Sequence, residues 1–324
     1  MWSGREFDIP THAVNLVSYA DAIHLKSRMP LMRLRRFYHR PWHEKAIWFR
    51  SQWVSLTDGW KRMVSNIVMP IRLPFGAWWL ARNDHISRPL QRGVFETLEV
   101  GFVERLLQPG MTVLDIGAHH GPYTLLASKR VGPRGRVISF EPSIRERRAL
   151  LTHVRLNRCR NVIVEGLAVG DENGSGSLYT AESRASGGNS LRPLNFSSEA
   201  YPISVRVTEL DSWLDANRIG RVDFIKLDVE GGELGVLRGA THLLERRPRP
   251  MILAEVQDVR TEPWGYCAKE ILNYLADRGY KWFCLSEDGL IRQLDTSFSH
   301  FEGNFIACPA ESLERLRRFE PSAD

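Results

Sequence analysis

From about residue 90 onward the chain repeats one pattern: a short apolar run, a turn, then ten or more residues with helical spacing. Few folds satisfy such alternation. Parallel strands joined by crossover helices form a sheet covered on both faces, and ligands bind beyond the carboxyl ends of its strands. The spacing predicts a helix over Leu90–Leu107 closed by Pro109-Gly110, a strand over Met111–Ile116 and a helix over Pro122–Val131. A strand over Arg136–Glu141, a helix over Ser143–Asn157 and a strand over Val162–Leu167 come next. Asp223–Asp228, Glu233–Arg246, Met251–Val256 and Ala268–Arg278 continue the alternation, and short strands at Lys281–Leu285 and Asn304–Cys308 finish it. Between Thr180 and Ala200 the pattern lapses into a Ser-, Gly- and Asn-rich stretch. A loop of that length is either a substrate lid or a surface insertion.

The rest of the 324 residues differ in composition. Residues 1–110 hold 16 Lys and Arg against 9 Asp and Glu, whereas the remainder holds 28 against 29. Seven of the ten tryptophans also lie in that first third. The densest basic stretch, Lys26 to Arg62, carries ten cationic residues opposed only by Glu44 and Asp58. It reads as a helical extension with solvated arginines or as a peripheral membrane contact over 26–62; nucleic acid ranks below both. We divide the chain into an extension (1–88), a main domain (89–310) and a tail (311–324). With 43% hydrophobic residues the chain is too apolar to be disordered. Cys159, Cys267, Cys284 and Cys308 form no CxxC pair, so they read as buried, reduced cysteines rather than a zinc or redox motif. The start lacks a signal peptide's basic head and apolar core, and no uncharged apolar run approaches ~20 residues. The expected location is the cytoplasm, with peripheral membrane attachment as the variant.

Three strand ends carry chemistry. Val113-Leu114-Asp115-Ile116-Gly117-Ala118-His119-His120-Gly121 ends an apolar strand in an acid and opens a helix after two glycines. Its D-x-G-x-x-x-G spacing is not the dinucleotide fingerprint, and no G-K-[ST] follows to grip phosphate. A carboxylate there suits an ammonium group. Glu141 ends the next strand twenty residues after Gly121, where an acid takes ribose hydroxyls. A ligand with ribose and ammonium but no phosphate fits S-adenosylmethionine. Asp228 ends a third strand, with Glu230 just before the Gly231-Gly232 turn.

The blocks LDIGAHHGPYTLLAS, FEP, LAVGDENG and DFIKLDVEGGELGVLRGA, in that order, resemble the FkbM-type S-adenosylmethionine-dependent methyltransferases. The resemblance covers roughly 90–308, including Gly93-Val94-Phe95-Glu96. It implies the class I methyltransferase fold: a Rossmann-like α/β domain with a seven-stranded, mainly parallel sheet and helices on both faces, here preceded by a mostly helical extension. It places the cofactor at Asp115, Gly117, Ala118, His119, Gly121, Thr124, Glu141, Pro142 and Ala168. Asp228 and Glu230 would face the acceptor, a hydroxyl of a sugar, glycan or polyketide-type metabolite. Family members usually carry Asn where this chain has His119.

Asp228 is the first candidate for general base and Glu230 the second. A divalent metal such as Mg²⁺ on Asp228, Glu230 and Glu255 is an option these motifs do not require. His119 and His120 lack a third ligand at matching spacing, so no metal site is assigned to them. Two other classes compete: a nucleic-acid methyltransferase, whose amino-methylating kind usually shows a [DNS]-P-P-[YFW] motif where Asp228-Val229-Glu230-Gly231 stands, and a non-catalytic S-adenosylmethionine-binding module. A NAD-dependent dehydrogenase lacks its third glycine and its YxxxK pair.

Overall fold

The computed structural model describes residues 68–180, 188–193 and 201–319. The basic stretch 26–62, and with it the expected membrane contact and most of the expected helical extension, lies outside the described residues; the described part of that extension begins with a β-hairpin. The described chain opens with a hairpin, β1 (Met69–Arg72) and β2 (Trp78–Ala81), then helices α1 (Ser87–Arg92) and α2 (Thr97–Leu106). The predicted continuous helix over Leu90–Leu107 is therefore two helices. Gly93 closes α1 in the left-handed region at φ 70°, and Glu96 begins α2 at φ 37°, so the backbone turns between them.

The alternating part follows as β3 (Thr112–Ile116), α3 (Pro122–Val131), β4 (Arg136–Phe140), α4 (Ile144–Leu156) and β5 (Val162–Glu165). A small sheet then intervenes: β6 (Ala168–Gly170), β7 (Gly174–Thr180) and β8 (Tyr201–Glu209), ordered β6-β8-β7. Next come α5 (Leu210–Ala216), β9 (Phe224–Leu227), α6 (Glu233–Arg238) and α7 (Thr241–Glu245). The predicted helix Glu233–Arg246 breaks at Gly239, whose absent Cβ would lie 2.1 Å from the Gly170 carbonyl oxygen. The chain continues with β10 (Met251–Gln257), α8 (Asp258–Thr261), α9 (Lys269–Ala276), β11 (Tyr280–Leu285), β12 (Ile291–Gln293) and β13 (Glu302–Pro309).

The main sheet runs β12-β11-β13-β10-β9-β3-β4-β5. It contains the seven expected strands plus the short edge strand β12. Parallel pairing joins β5, β4, β3, β9 and β10, and β13 is antiparallel to both its neighbours. Side chains alternate between the two faces, as strand geometry requires. Val113, Phe224, Met251 and Leu253 join Phe102, Leu106 and Leu126 on one side. Leu114, Ile116, Ile225, Ile252 and Ala254 join Trp213, Leu234 and Leu272 on the other. Helices thus cover both faces, and the order reverses at β3, with β4 and β5 on one side and β9 and β10 on the other.

The hairpin β1–β2, which the sequence reading assigns to the extension, is fastened to α4. The Trp79 ring stacks on His153 at 3.9 Å, and Asn157 bonds both the backbone N–H and the carbonyl of Trp78 at 2.7 Å. The four cysteines are free as expected, but only Cys308 is buried and Cys267 is exposed.

Gly117 ties the carboxyl end of β3 to that of β9. Its φ is 85°, and a Cβ would meet the Asp228 carbonyl oxygen at 1.7 Å. Gly110 has a similar φ of 90° but open space around it. Gly110→Ala should cost about 1–2 kcal/mol from backbone conformation alone, and Gly117→Ala clearly more, because backbone must move. Urea unfolding midpoints check the order; equal losses would contradict the contact.

Candidate active site

A cavity opens where strand order reverses, beyond the carboxyl ends of β3, β4 and β9. One wall is Gly117, His119, Glu141 and Pro142; an apolar side is built from Ile86, Leu167, Ala168, Val169 and Leu178; Asp228, Glu230 and Trp264 close the far end. Asn189 and Leu191 line it from the stretch the sequence left as lid or insertion. That segment is anchored: Ser190 bridges to Tyr179, and its hydroxyl donates to the Glu230 carbonyl at 2.8 Å.

The first half of the site is shaped by the β3–α3 loop. The Gly117 and Ala118 amides donate to the Phe140 carbonyl, bending the loop over β4. Glu141, nearly sealed from solvent, accepts the His119 N–H on one oxygen and the Ser143 N–H on the other, both at 2.8 Å. Burial pushes its pKa up to about 8, against the pull of those two amides. His119 itself has φ 51°. That left-handed conformation is one that Asn and His adopt more readily than most residues, so the backbone here accepts either.

Asp115, Ala118, Gly121 and Thr124 are not on the cavity wall. Asp115 was expected to receive an ammonium, but its carboxylate is buried and accepts the Thr124 hydroxyl, which also contacts Ser139 Oγ at 2.8 Å. Desolvation raises its pKa to about 6. Its place in the structure is to pin α3 to β3. Gly121 gives room to Leu150, whose Cδ1 would lie 2.3 Å from an added Cβ.

The second half is a cluster of acids around one buried amine. Lys226, 2% exposed, points from β9 to Asp228 at 3.2 Å and Asn304 at 3.2 Å, with its ammonium 5.3 Å from the Tyr123 ring centre. Burial alone would depress the amine's pKa, but Asp228, Glu96 and Glu255 outweigh it and raise it. Burial likewise opposes ionisation of Asp228, yet the adjacent Lys226 charge and hydrogen bond hold its pKa below the usual value. Glu230 goes the other way: burial, then Asp228, push it up to about 8, although Arg260 Nε lies 2.9 Å away. Glu255 is also driven up, by burial and then by Asp228 and Glu230. Like charges this close cannot all ionise, so one acid stays charged beside two that hold protons.

Several members of this half were not singled out from sequence. Lys226 sits within a quoted motif, but a lysine in an apolar strand gives no sign of standing among a cluster of acids. Glu96, bonded by the Tyr123 hydroxyl, comes from a segment distant in sequence, as do Trp264 and Arg260. Asp228, Glu230 and Glu255 each offer an oxygen within 4.8 Å of the others, so the acids mentioned for a divalent ion do converge. Lys226 and Arg260 already supply positive charge there. Glu255 Oε2 and Trp264 Nε1 are shielded from solvent without a hydrogen-bond partner, as expected where a polar ligand belongs.

Sheet order and cavity position define the class I methyltransferase architecture. The chain belongs to the FkbM methyltransferase family: the family's domain matches residues 115–282, just over half of its length. Among curated proteins it is similar to ribosomal RNA large subunit methyltransferase E of Alkalilimnicola ehrlichii, 42% identical over 78 residues, covering 22% of this chain and 37% of that enzyme. The Pseudomonas aeruginosa protein of the same name is 42% identical over 50 residues, 15% of this chain and 24% of that one. The chain thus spans well under half the length of these curated relatives. Among solved structures, methyltransferase FkbM from Methylobacillus flagellatus aligns with a TM-score of 0.40 and 16% identity, over 69% of this chain and 52% of that one. The O-methyltransferase TomG from Streptomyces achromogenes aligns with a TM-score of 0.39 and 12% identity, over 65% and 78%.

Glu141, Glu230 and Glu233 all have raised pKa values, to about 8, 8 and 7. Each holds its proton more tightly folded than unfolded, so stability present below the unfolded pKa is lost as pH rises toward 8. The slope is up to about 1.4 kcal/mol per pH unit per group. Urea midpoints should fall between pH 7 and 8.5, above the range in which His119 and His120, lowered to about 3 chiefly by burial, pull the other way, and Glu230→Gln should make the fall shallower. A midpoint rising across that window would contradict the assignments.

Proposed function

We propose that the chain moves a methyl group from S-adenosylmethionine to a hydroxyl of a sugar, glycan or polyketide-type metabolite, with Asp228 as the general base. The observation that carries this reading is Asp228 kept ionised by buried Lys226 at one end of a cavity whose other end holds Glu141. The cofactor fits the donor half on two grounds: a buried carboxylate for paired ribose hydroxyls and an apolar side for adenine. When bound it supplies an electrophilic methyl on a sulfonium. Glu141 would hold the ribose, and Leu167, Ala168 and Val169 the adenine.

The protein's tasks are then alignment and dehydration. Asp228 accepts the acceptor's O–H hydrogen bond and takes its proton as the new bond forms. Glu230, protonated over much of the neutral range, donates to or orients a neighbouring hydroxyl. Leu191, Ile86 and Trp264 exclude water. A divalent ion is not needed to offset the acids' charge, because Lys226 already does so.

The curated relatives' name suggests ribosomal RNA as acceptor, but it rests on a short stretch, and the ionised Asp228 would repel a phosphate backbone at the acceptor end. Peripheral membrane contact through 26–62 remains a proposal of the sequence alone. Liposome flotation of the full chain against one beginning at Val68, which keeps the β1–β2 hairpin, tests it; equal partitioning would retire the idea.

Calorimetry should show S-adenosylmethionine binding, weakened at least about tenfold by Glu141→Ala. Asp228→Asn should bind it almost unchanged and lose about 10²–10⁴ in turnover on a hydroxyl acceptor. Full turnover in Asp228→Asn would remove that residue from the mechanism.

A further inference from the structure

We infer that His85, His119, His120 and Glu146 form a second site, one for a transition-metal ion of the zinc type. From sequence the two adjacent histidines lacked a third ligand. The fold supplies it from α4: one ligand atom each of His119, His120 and Glu146 lies within 4.8 Å of the other two. His85, from the loop before α1, stands beside this group rather than within it, edge-on to His119 with ring centroids 5.4 Å apart, and would close in as the fourth ligand when an ion binds.

Two further observations support an ion here. Both ring nitrogens of His85 are shielded from solvent and have no hydrogen-bond partner, a condition that calls for a missing ligand. Glu146, fully buried, has its carboxylate steadied by the Ser143 hydroxyl and by Arg145 Nε at 2.6 Å. Outer partners of this kind fix ligating carboxylates. His153 is excluded as a ligand because both its nitrogens are engaged. Nδ1 contacts the His120 carbonyl at 2.9 Å, and Nε2 accepts the Leu80 N–H at 3.2 Å. It steadies His120 instead.

Three imidazoles and one carboxylate suit zinc or cobalt rather than the all-oxygen shells of magnesium and calcium. An ion would draw the ligand atoms to about 2.0–2.1 Å. It would join three parts of the chain behind the loop whose His119 N–H bonds Glu141. The site is separate from the acid cluster and does not depend on the identity of the acceptor.

The test uses the untagged full chain, stripped with chelator and titrated with Co²⁺ and then Zn²⁺. The expected result is one equivalent of zinc per chain, visible d–d bands with cobalt, and a raised unfolding temperature in zinc. His85→Ala and His120→Ala should each weaken uptake at least about tenfold and bleach the bands, whereas Asp228→Asn should retain both. If His120→Ala does not fold, His85→Ala alone decides. No uptake, equal uptake in the histidine variants, or uptake lost in Asp228→Asn would each overturn the assignment.

Discussion

A buried ammonium surrounded by carboxylates governs the acceptor end of this molecule. Lys226 cannot reach water, so it must be paired, and its partners are Asp228 and Asn304. A buried ion pair is weak evidence for stability, since desolvation offsets most of the attraction. Its effect here is on proton distribution. With the amine present, one carboxylate ionises while Glu230 and Glu255 keep their protons. Uncharged replacements of Lys226 would leave several acids sharing one small volume, each raising the others' affinity for protons. The sheet holds this arrangement because Lys226 lies in the middle of β9, between β3 and β10, where no loop movement can relax it.

Much of the architecture was legible in the sequence because buried parallel strands leave uninterrupted apolar runs. Pro122–Val131 matches its helix end to end, with proline at the first position and a glycine before it. The misses have local causes. Leu90–Leu107 keeps helical spacing through a turn that only the backbone angles of Gly93 and Glu96 reveal. Glu233–Arg246 breaks because α6 and β6 come so close at Gly239 that no side chain fits. The sheet β6-β8-β7 was invisible because β7 is rich in Gly and Ser, and its partner β8 lies beyond the Ser-rich stretch.

The candidate site was half legible. Strand-end acids announce themselves by position, and Glu141, Asp228 and Glu230 do meet at one cavity. Position does not say which way an acid turns: Asp115 occupies an equivalent strand end yet faces Thr124 rather than the cavity. Contributors from remote segments, such as Glu96 and Trp264, leave no local pattern. The convergence of His85 and Glu146 on the two loop histidines is of the same kind, since it depends on how α1 and α4 pack.

The contact between Gly117 and the Asp228 carbonyl has a consequence for turnover. The two strand ends meet through main chain, with no side chain between them to flex. The donor and acceptor halves therefore behave as one stiff jaw, and the spacing across which a methyl must travel is set before any ligand arrives. Across the cavity the segment around Ser190 is tied to the acceptor half as well, by its bridge to Tyr179, its hydroxyl contact to the Glu230 carbonyl and the Arg192 guanidinium 5.3 Å from the Trp264 ring centre.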